Sequence, residues 1–395
     1  MKKLLLATAA GALLAGAASA EEIKLGISLG FTGPLESMAP AMAQGAELAM
    51  KEVSDSGKLL DGATVSVVRA DSTCADAAAA TAAAERIVTS DKVRAIMGGM
   101  CSGETIATLQ NVAIPNGIVM ISPSATSPAL STIEDQGLFF RTSPSDARQG
   151  EVMADIILEK GIKSVAVSYT NNDYGKGLAD SFAEAYKAKG GNVTIVAAHD
   201  DGKADYSAEV AALAAAGGDA LVLAGYIDQG GGGVLRGSID TGAFEKFVFP
   251  DGMVGAALEE KFGAEIEGSF GQNPSSEGEG REKFDAMAKE AGFDGTSAFA
   301  GESYDAAALM LLAMQAAKSS DPAVWKEKVL EVANGPGEPI LPGELAKGLE
   351  LLAEGKPVDY IGATGVNLIG PGESAGVYRE IEFKGGKMEV VKFWN

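Results

Sequence analysis

Short β-branched runs alternate with alanine-rich helical runs along most of this chain, in two successive series. That alternation is the signature of βαβ units feeding a parallel sheet, and it leaves few folds open. In the first series strands are predicted at 23–29, 63–70, 93–97 and 118–122, with helices at 41–53, 75–88 and 104–112. The helix at 41–53 rests on Met42, Ala46, Ala49, Met50 and Val53, whose spacing puts them on one face. In the second series helices at 149–159, 178–188 and 206–215 alternate with strands at 164–169, 193–197, 220–224 and 247–249. Right-handed crossovers make each series a doubly wound α/β sandwich of three layers (αβα).

At 395 residues the chain exceeds one comfortable core and suits two domains. Past about residue 269 the pattern changes, and a polar stretch at 271–280 precedes helices at 281–291, 303–317 and 322–332. Asp321 caps the last of these, with Pro322 at its first position. A Gly/Pro-rich segment follows at 335–343, then a hairpin of strands at 378–383 and 388–393 around Lys384-Gly385-Gly386. No segment is long enough for a flexible linker, so several short crossings are expected to join the two halves.

Lys2 and Lys3, an apolar stretch at 4–17 and the triplet Ala18-Ser19-Ala20 have the layout of a signal peptide, with cleavage expected after Ala20. The apolar stretch is too short to span a bilayer, and no later segment approaches about 18 uninterrupted apolar residues. The mature chain, expected to begin at Glu21, carries a formal charge of −24, the −22 of the full sequence without Lys2 and Lys3. So acidic a chain repels nucleic acid and anionic lipid, and no basic run offsets this. Cys74 and Cys101 are the only cysteines. In an oxidising compartment such a pair tends to form a disulfide, adding roughly 3 kcal/mol; two free buried thiols are the other reading.

Ligands of open parallel sheets bind beyond the carboxyl ends of the strands. In the first series those ends are rich in hydroxyls, as Gly98-Gly99-Met100-Cys101-Ser102-Gly103 and Pro123-Ser124-Ala125-Thr126-Ser127-Pro128. Hydroxyls and free N–H groups at a helix start can cradle a carboxylate, although Ser102 and Ser127 taken singly read as ordinary caps. In the second series the strand ends carry Tyr169 to Tyr174, Gly225-Tyr226 and Phe249-Pro250-Asp251-Gly252. An Asp in such a turn is ordinarily a turn residue, but facing those hydroxyls it could neutralise an ammonium group. Catalytic readings fare poorly. Gly26-Ile27-Ser28-Leu29-Gly30 matches a nucleophile elbow as a string, yet Ser28 falls inside the first predicted strand. The single histidine, His199, has no Ser or Cys partner suggested, so a Ser28–His199 hydrolase is rejected. With no phosphate loop, dinucleotide motif or metal-ligand cluster, no enzyme activity, cofactor or metal is expected. The run Gly230 to Gly233 reads as a flexible loop, and Trp325 and Trp394 as packing residues.

With these positions in order, the chain resembles the branched-chain amino acid (Leu/Ile/Val) periplasmic binding proteins, the type I solute-binding proteins of ABC importers. The likeness is carried by Thr32-Gly33-Pro34, Met100-Cys101-Ser102, Ser122-Pro123-Ser124-Ala125-Thr126, Tyr174-Gly175-Lys176-Gly177, Gly225-Tyr226 and Pro250-Asp251-Gly252. Each is weak alone; together they cover nearly all of the mature chain. The resemblance implies two lobes joined by three hinge crossings, near 141–144, 269–274 and 376–378. Lobe 1 would take 21–142 and 275–377, and lobe 2 would take 143–274 and 378–395. By the same resemblance Ser102 and Thr126 offer hydroxyls to an α-carboxylate, and Ser124 offers backbone groups. Tyr174 and Tyr226 reach the ligand on closure, and Asp251 meets the α-ammonium, one methylene shorter than the family's usual Glu. Met38, Met100 and Phe299 line the side-chain pocket, and Cys74 and Cys101 form the family's single disulfide. The implied partners are an amino acid, branched-chain or otherwise apolar, and an ABC permease in the membrane. A monomer in the periplasm is expected. Within the same fold the alternatives are an aromatic acid, an amide or another small solute, or a sensor subunit.

Overall fold

The computed structural model describes residues 21–395; the expected signal peptide, at 1–20, lies outside the described residues. The first series supplies strands β1 (Glu22–Leu29), β2 (Thr64–Asp71), β3 (Ala95–Gly98), β4 (Val119–Ser122) and β5 (Phe139–Pro144). The second supplies β6 (Ser164–Thr170), β7 (Asn192–His199), β8 (Ala220–Ala224), β9 (Phe247–Phe249) and β10 (Phe270–Pro274). Later strands are β11 (Glu338–Ile340) and β12 (Val358–Tyr360), β13 (Leu368–Ile369) and β14 (Glu373–Ser374), and β15 (Tyr378–Lys384) and β16 (Lys387–Trp394). The two large sheets have the order β13-β14-β5-β4-β3-β1-β2 and β16-β15-β10-β9-β8-β6-β7, one topology used twice, while β11 and β12 pair separately. Each is parallel over its main strands and flanked by helices, so the chain folds as two α/β lobes. Strands β3, β4 and β8 are buried at every residue, the physical reason they read as unbroken apolar runs.

The chain passes between the sheets three times. It leaves β5 for the helix Asp146–Glu159, leaves β10 for the helix Glu279–Ala291, and runs from β14, paired with β5, into β15, paired with β10. The helix Ala300–Ala317, buried from Ala300 to Gln315, packs on the helix Ala39–Ser56 and forms the centre of the first lobe. Among the described residues, no helix is long and apolar enough to cross a membrane.

Several elements depart from expectation for identifiable reasons. Strands β5 and β10 contain Arg141, Thr142, Ser143, Gln272 and Asn273, all buried, and this polarity hides them from hydrophobic patterning. Arg141 is buried at no great cost because it donates to the carbonyls of Ala125 and Ser127 and pairs with Glu373. The helix expected at 322–332 is broken into Pro322–Trp325, a tight turn Lys326–Lys328 and Val329–Ala333. Gly230 to Gly233 are not a loop but the first turn of the helix Gly230–Thr241. Glycine is needed there because that turn presses on the loop after β8. A Cβ on Gly232 would stand 2.3 Å from the Ile227 carbonyl, and one on Gly231 2.5 Å from Met253 Sδ. Trp325 is buried, and Trp394 donates Nε1 to Glu380.

Candidate functional site

Loops from the carboxyl ends of both sheets meet around one small cavity. Met100, Cys101 and Ser102 follow β3, Ser124 follows β4, Tyr174 follows β6, Tyr226 follows β8, and Asp251 and Gly252 follow β9; Leu35 and Phe299 complete the wall. The cavity is about 10 Å³, room for a single water, so the lobes are closed on each other. A latch between the lobes accompanies this closure. Asp228 accepts from Ser37 N at 3.0 Å, donates its own N–H to the Pro34 carbonyl at 3.2 Å, and pairs with Lys261 at 2.8 Å.

On the first lobe two polar turns are tied together. Ser102 Oγ accepts from Ser127 N at 3.0 Å, and Ser124 Oγ donates to the Met100 carbonyl at 2.8 Å. Ser127 caps the following turn, as its singular reading had it, whereas Cys101, not Ser102, is the cap of the helix Ser102–Thr108. Glu104 Oε1 accepts from Met100 N at 2.6 Å and Cys101 N at 3.2 Å, and burial pushes this carboxyl up to about 7 despite those bonds. Cys74 and Cys101 are bonded, with Cα atoms 5.2 Å apart, which anchors the β3 turn to the loop after β2.

On the second lobe Tyr174 and Tyr226 are stacked, with centroids 5.1 Å apart. Tyr174 Oη donates to Asp251 Oδ1 at 2.6 Å, and Gly252 N donates to the same oxygen at 2.9 Å. Burial raises the Asp251 carboxyl above its usual range, and the bonds from Tyr174 and Gln149 oppose that.

Sequence reasoning missed Asp146. It opens the helix Asp146–Glu159, where an acidic residue reads simply as a match to the helix dipole. Yet its side chain is fully buried and neither oxygen completes a hydrogen bond. Burial holds this carboxyl well above its usual range, and the neighbouring charge of Asp251 adds to the effect. Thr126 lies beside it, and Thr126 Oγ1, Gln149 Oε1 and Tyr378 Oη are likewise buried without partners. Burial first, and the like charge of Asp251 second, thus oppose ionisation of Asp146.

Of the expected site residues, Ser102, Ser124, Tyr174, Tyr226, Asp251, Met100 and Phe299 converge on the cavity. Thr126 and Met38 do not line it. Thr126 faces Asp146, and Met38 lies in the seam between lobes, its Cε 3.3 Å from where a Gly255 Cβ would be. Ser28 is buried within β1, and His199, at the end of β7 in the other sheet, is bonded through Nδ1 to Ser168 Oγ at 2.8 Å. Burial brings that imidazole down to about 4, so it is a neutral core group.

The model of the family described as periplasmic binding protein matches residues 22–332. A Leu/Ile/Val-binding protein homolog of Brucella suis is 31% identical over 376 residues, covering 90% of this chain and 98% of its own. The branched-chain amino acid transporter substrate-binding protein of Streptococcus pneumoniae, solved with isoleucine, superposes with a TM-score of 0.77 at 25% identity, over 94% of this chain and 100% of its own. A solute-binding protein of Rhodopseudomonas palustris, solved with 4-hydroxybenzoate, shares the fold at 18% identity with a TM-score of 0.75, over 95% of this chain and 97% of its own. Family match, relatives and two-lobed fold agree: the chain belongs to the periplasmic binding protein family, beside the Leu/Ile/Val-binding proteins, and is a binding protein and not an enzyme.

Proposed function

We propose that the cleft captures a free α-amino acid with an apolar side chain in the periplasm and delivers it to an ABC permease. The observation that carries this reading is Asp251, a carboxyl buried in the cavity wall, with a second buried carboxyl, Asp146, near enough to feel its charge. Such a pair wants one cation, and an α-ammonium supplies it while the α-carboxylate docks on the hydroxyl turns. Ser102 offers its hydroxyl to that carboxylate from the cavity wall, with Ser124 beside it, while Thr126 stands behind the wall against Asp146. Burying both charges is tolerable only when each is fully hydrogen-bonded, which accounts for the density of polar groups. Leu35, Met100 and Phe299 give the side chain apolar surroundings.

The ligand enters when the lobes part, docks on the first lobe, and is closed upon by Tyr174, Tyr226 and the two carboxyls. The first lobe is taken as 21–142 and 275–377, and the second as 143–274 and 378–395; the three passes between sheets support this division. The ligand shifts the lobes towards closure only through contacts that it makes in the closed state and not in the open one. Asp228→Ala removes the latch, so affinity is expected to fall roughly 3- to 30-fold through a less stable closed state. The melting temperature of the ligand-free protein should change little. An unchanged affinity by calorimetry would show that the latch does not contribute to closure.

An aromatic acid is the second reading, favoured by fold likeness to the 4-hydroxybenzoate binder. It brings an anion to two carboxyls with no cation to offset them. A thermal-shift screen of the common amino acids and their deaminated analogues decides between the two. An amino acid at 100-fold excess over its dissociation constant should stabilise the protein by about 2.7 kcal/mol. Shifts only with deaminated acids would overturn the amino-acid reading.

A further inference from the structure

The helix Ala300–Ala317 carries five buried polar residues, and four of them have side-chain partners. Ser303 Oγ donates to the Phe299 carbonyl, Tyr304 Oη to Glu52, Gln315 Nε2 to the Leu349 carbonyl, and Asp305 accepts from Tyr360 Oη. Glu302 is the exception. It is 3% exposed, and among the described residues its carboxyl makes no hydrogen bond to another side chain and no ion pair; it is met by its own backbone N–H, and its carbonyl accepts from Thr142 Oγ1 at 2.8 Å.

The position of Glu302 gives this carboxyl, free of any side-chain partner, its interest. It lines a cavity of about 10 Å³, the size of one water, with Thr142, Pro274, Ser275, Gly376 and Val377. Thr142 lies in β5 just before the first passage between the sheets, Pro274 and Ser275 begin the second, and Gly376 and Val377 belong to the third. All three strands of the hinge thus wall one cavity, and any rotation of the lobes must move its walls against the helix that carries Glu302.

We propose that Glu302 makes lobe closure proton-linked: the closed hinge encloses its carboxyl in the protonated form, and opening hydrates and ionises it. In the closed structure burial raises this carboxyl to about 7 from its ordinary 4.5. Its own backbone N–H pulls it down most, followed by Arg281 on the helix Glu279–Ala291 and then Arg379 on β15, while Asp305 on its own helix pushes it up. Arg379 feels Glu302 first and then Asp285 and Asp294, Arg281 pairs with Asp285, and Glu373 on β14 is held by Arg141, so no side chain forms an ion pair with Glu302 among the described residues. The sign follows. A carboxyl whose value is raised in the closed state holds a proton there that the open state releases. Closure is therefore favoured as pH falls through 7 and loses that advantage above it.

Glu104 has a similar value but sits wholly within the first lobe, bonded to its own β3 turn, so its protonation does not couple to the hinge. This inference does not depend on which solute the cleft binds.

The test is the distance distribution between spin labels on the helix Ala39–Ser56 and the helix Asp173–Ala188, in the ligand-free full chain at pH 6 and pH 8. The closed-to-open ratio should rise about tenfold on going from pH 8 to pH 6. Glu302→Gln, neutral in both states at either pH, should show no pH response and a closed-to-open ratio above the wild-type value at pH 6, while retaining its melting behaviour. Glu302→Asp should keep a pH dependence and so guards against a merely structural loss. A wild-type ratio unchanged with pH, or an equal pH response in Glu302→Gln, would overturn the proposal whether or not any amino acid binds.

Discussion

Asp251→Asn should lower affinity for the captured amino acid roughly 30- to 1000-fold, about 2–4 kcal/mol. The substitution keeps the size of the side chain and an oxygen able to accept from Tyr174 Oη and Gly252 N, now at 2.6 and 2.9 Å. What it removes is the charge that an α-ammonium meets in a fully desolvated cleft. The deaminated analogue should behave in the opposite way and bind no worse, since its carboxylate now faces one buried negative charge fewer. Titration calorimetry with the two ligands separates the cases. An equal loss for both would mean that Asp251 acts on closure, through Tyr174, and not on the ammonium.

Asp146→Asn should weaken amino-acid binding by at least roughly tenfold while making the ligand-free protein more stable, by about 1–2 kcal/mol. Stability rises because Asp146 is buried with neither oxygen bonded and with Asp251 as a like-charged neighbour. A carboxyl raised in the folded state holds a proton that the unfolded chain releases. Its destabilising contribution therefore appears above the unfolded value, grows as pH rises, and levels off only above the raised folded value. Wild-type ligand-free stability should accordingly gain on mild acidification through this group, and the Asn variant should lack that gain. Chemical denaturation at two pH values reads both effects. A destabilised variant would show that Asp146 serves the fold and not the ligand.

The fold was legible because short β-branched runs and helical runs alternate along the chain, from Ile23 in β1 to the hairpin at Lys384-Gly385-Gly386. It became illegible wherever polarity and burial part company, as in β5 and β10, where Arg141 and Asn273 are buried by partners far away in sequence. The cavity wall was legible for a related reason. Strand ends in a doubly wound sheet converge, so Ser102, Tyr226 and Asp251 could be gathered without coordinates. Asp146 could not, because a helix-start acid has an ordinary explanation and only its burial beside Asp251 gives it another. Thr126 and Met38 show the converse, since both belong to the right loops but face Asp146 and the interlobe seam instead of the cavity.

The central claim is that the cleft selects a ligand carrying both a carboxylate and an ammonium. Calorimetric affinities of the wild-type protein for leucine and for 4-methylpentanoate, which differ in the amine alone, test it most directly. The account predicts that leucine binds at least roughly 100-fold more tightly, the worth of a desolvated ammonium between two carboxyls. Equal affinities, or tighter binding of 4-methylpentanoate, would contradict it.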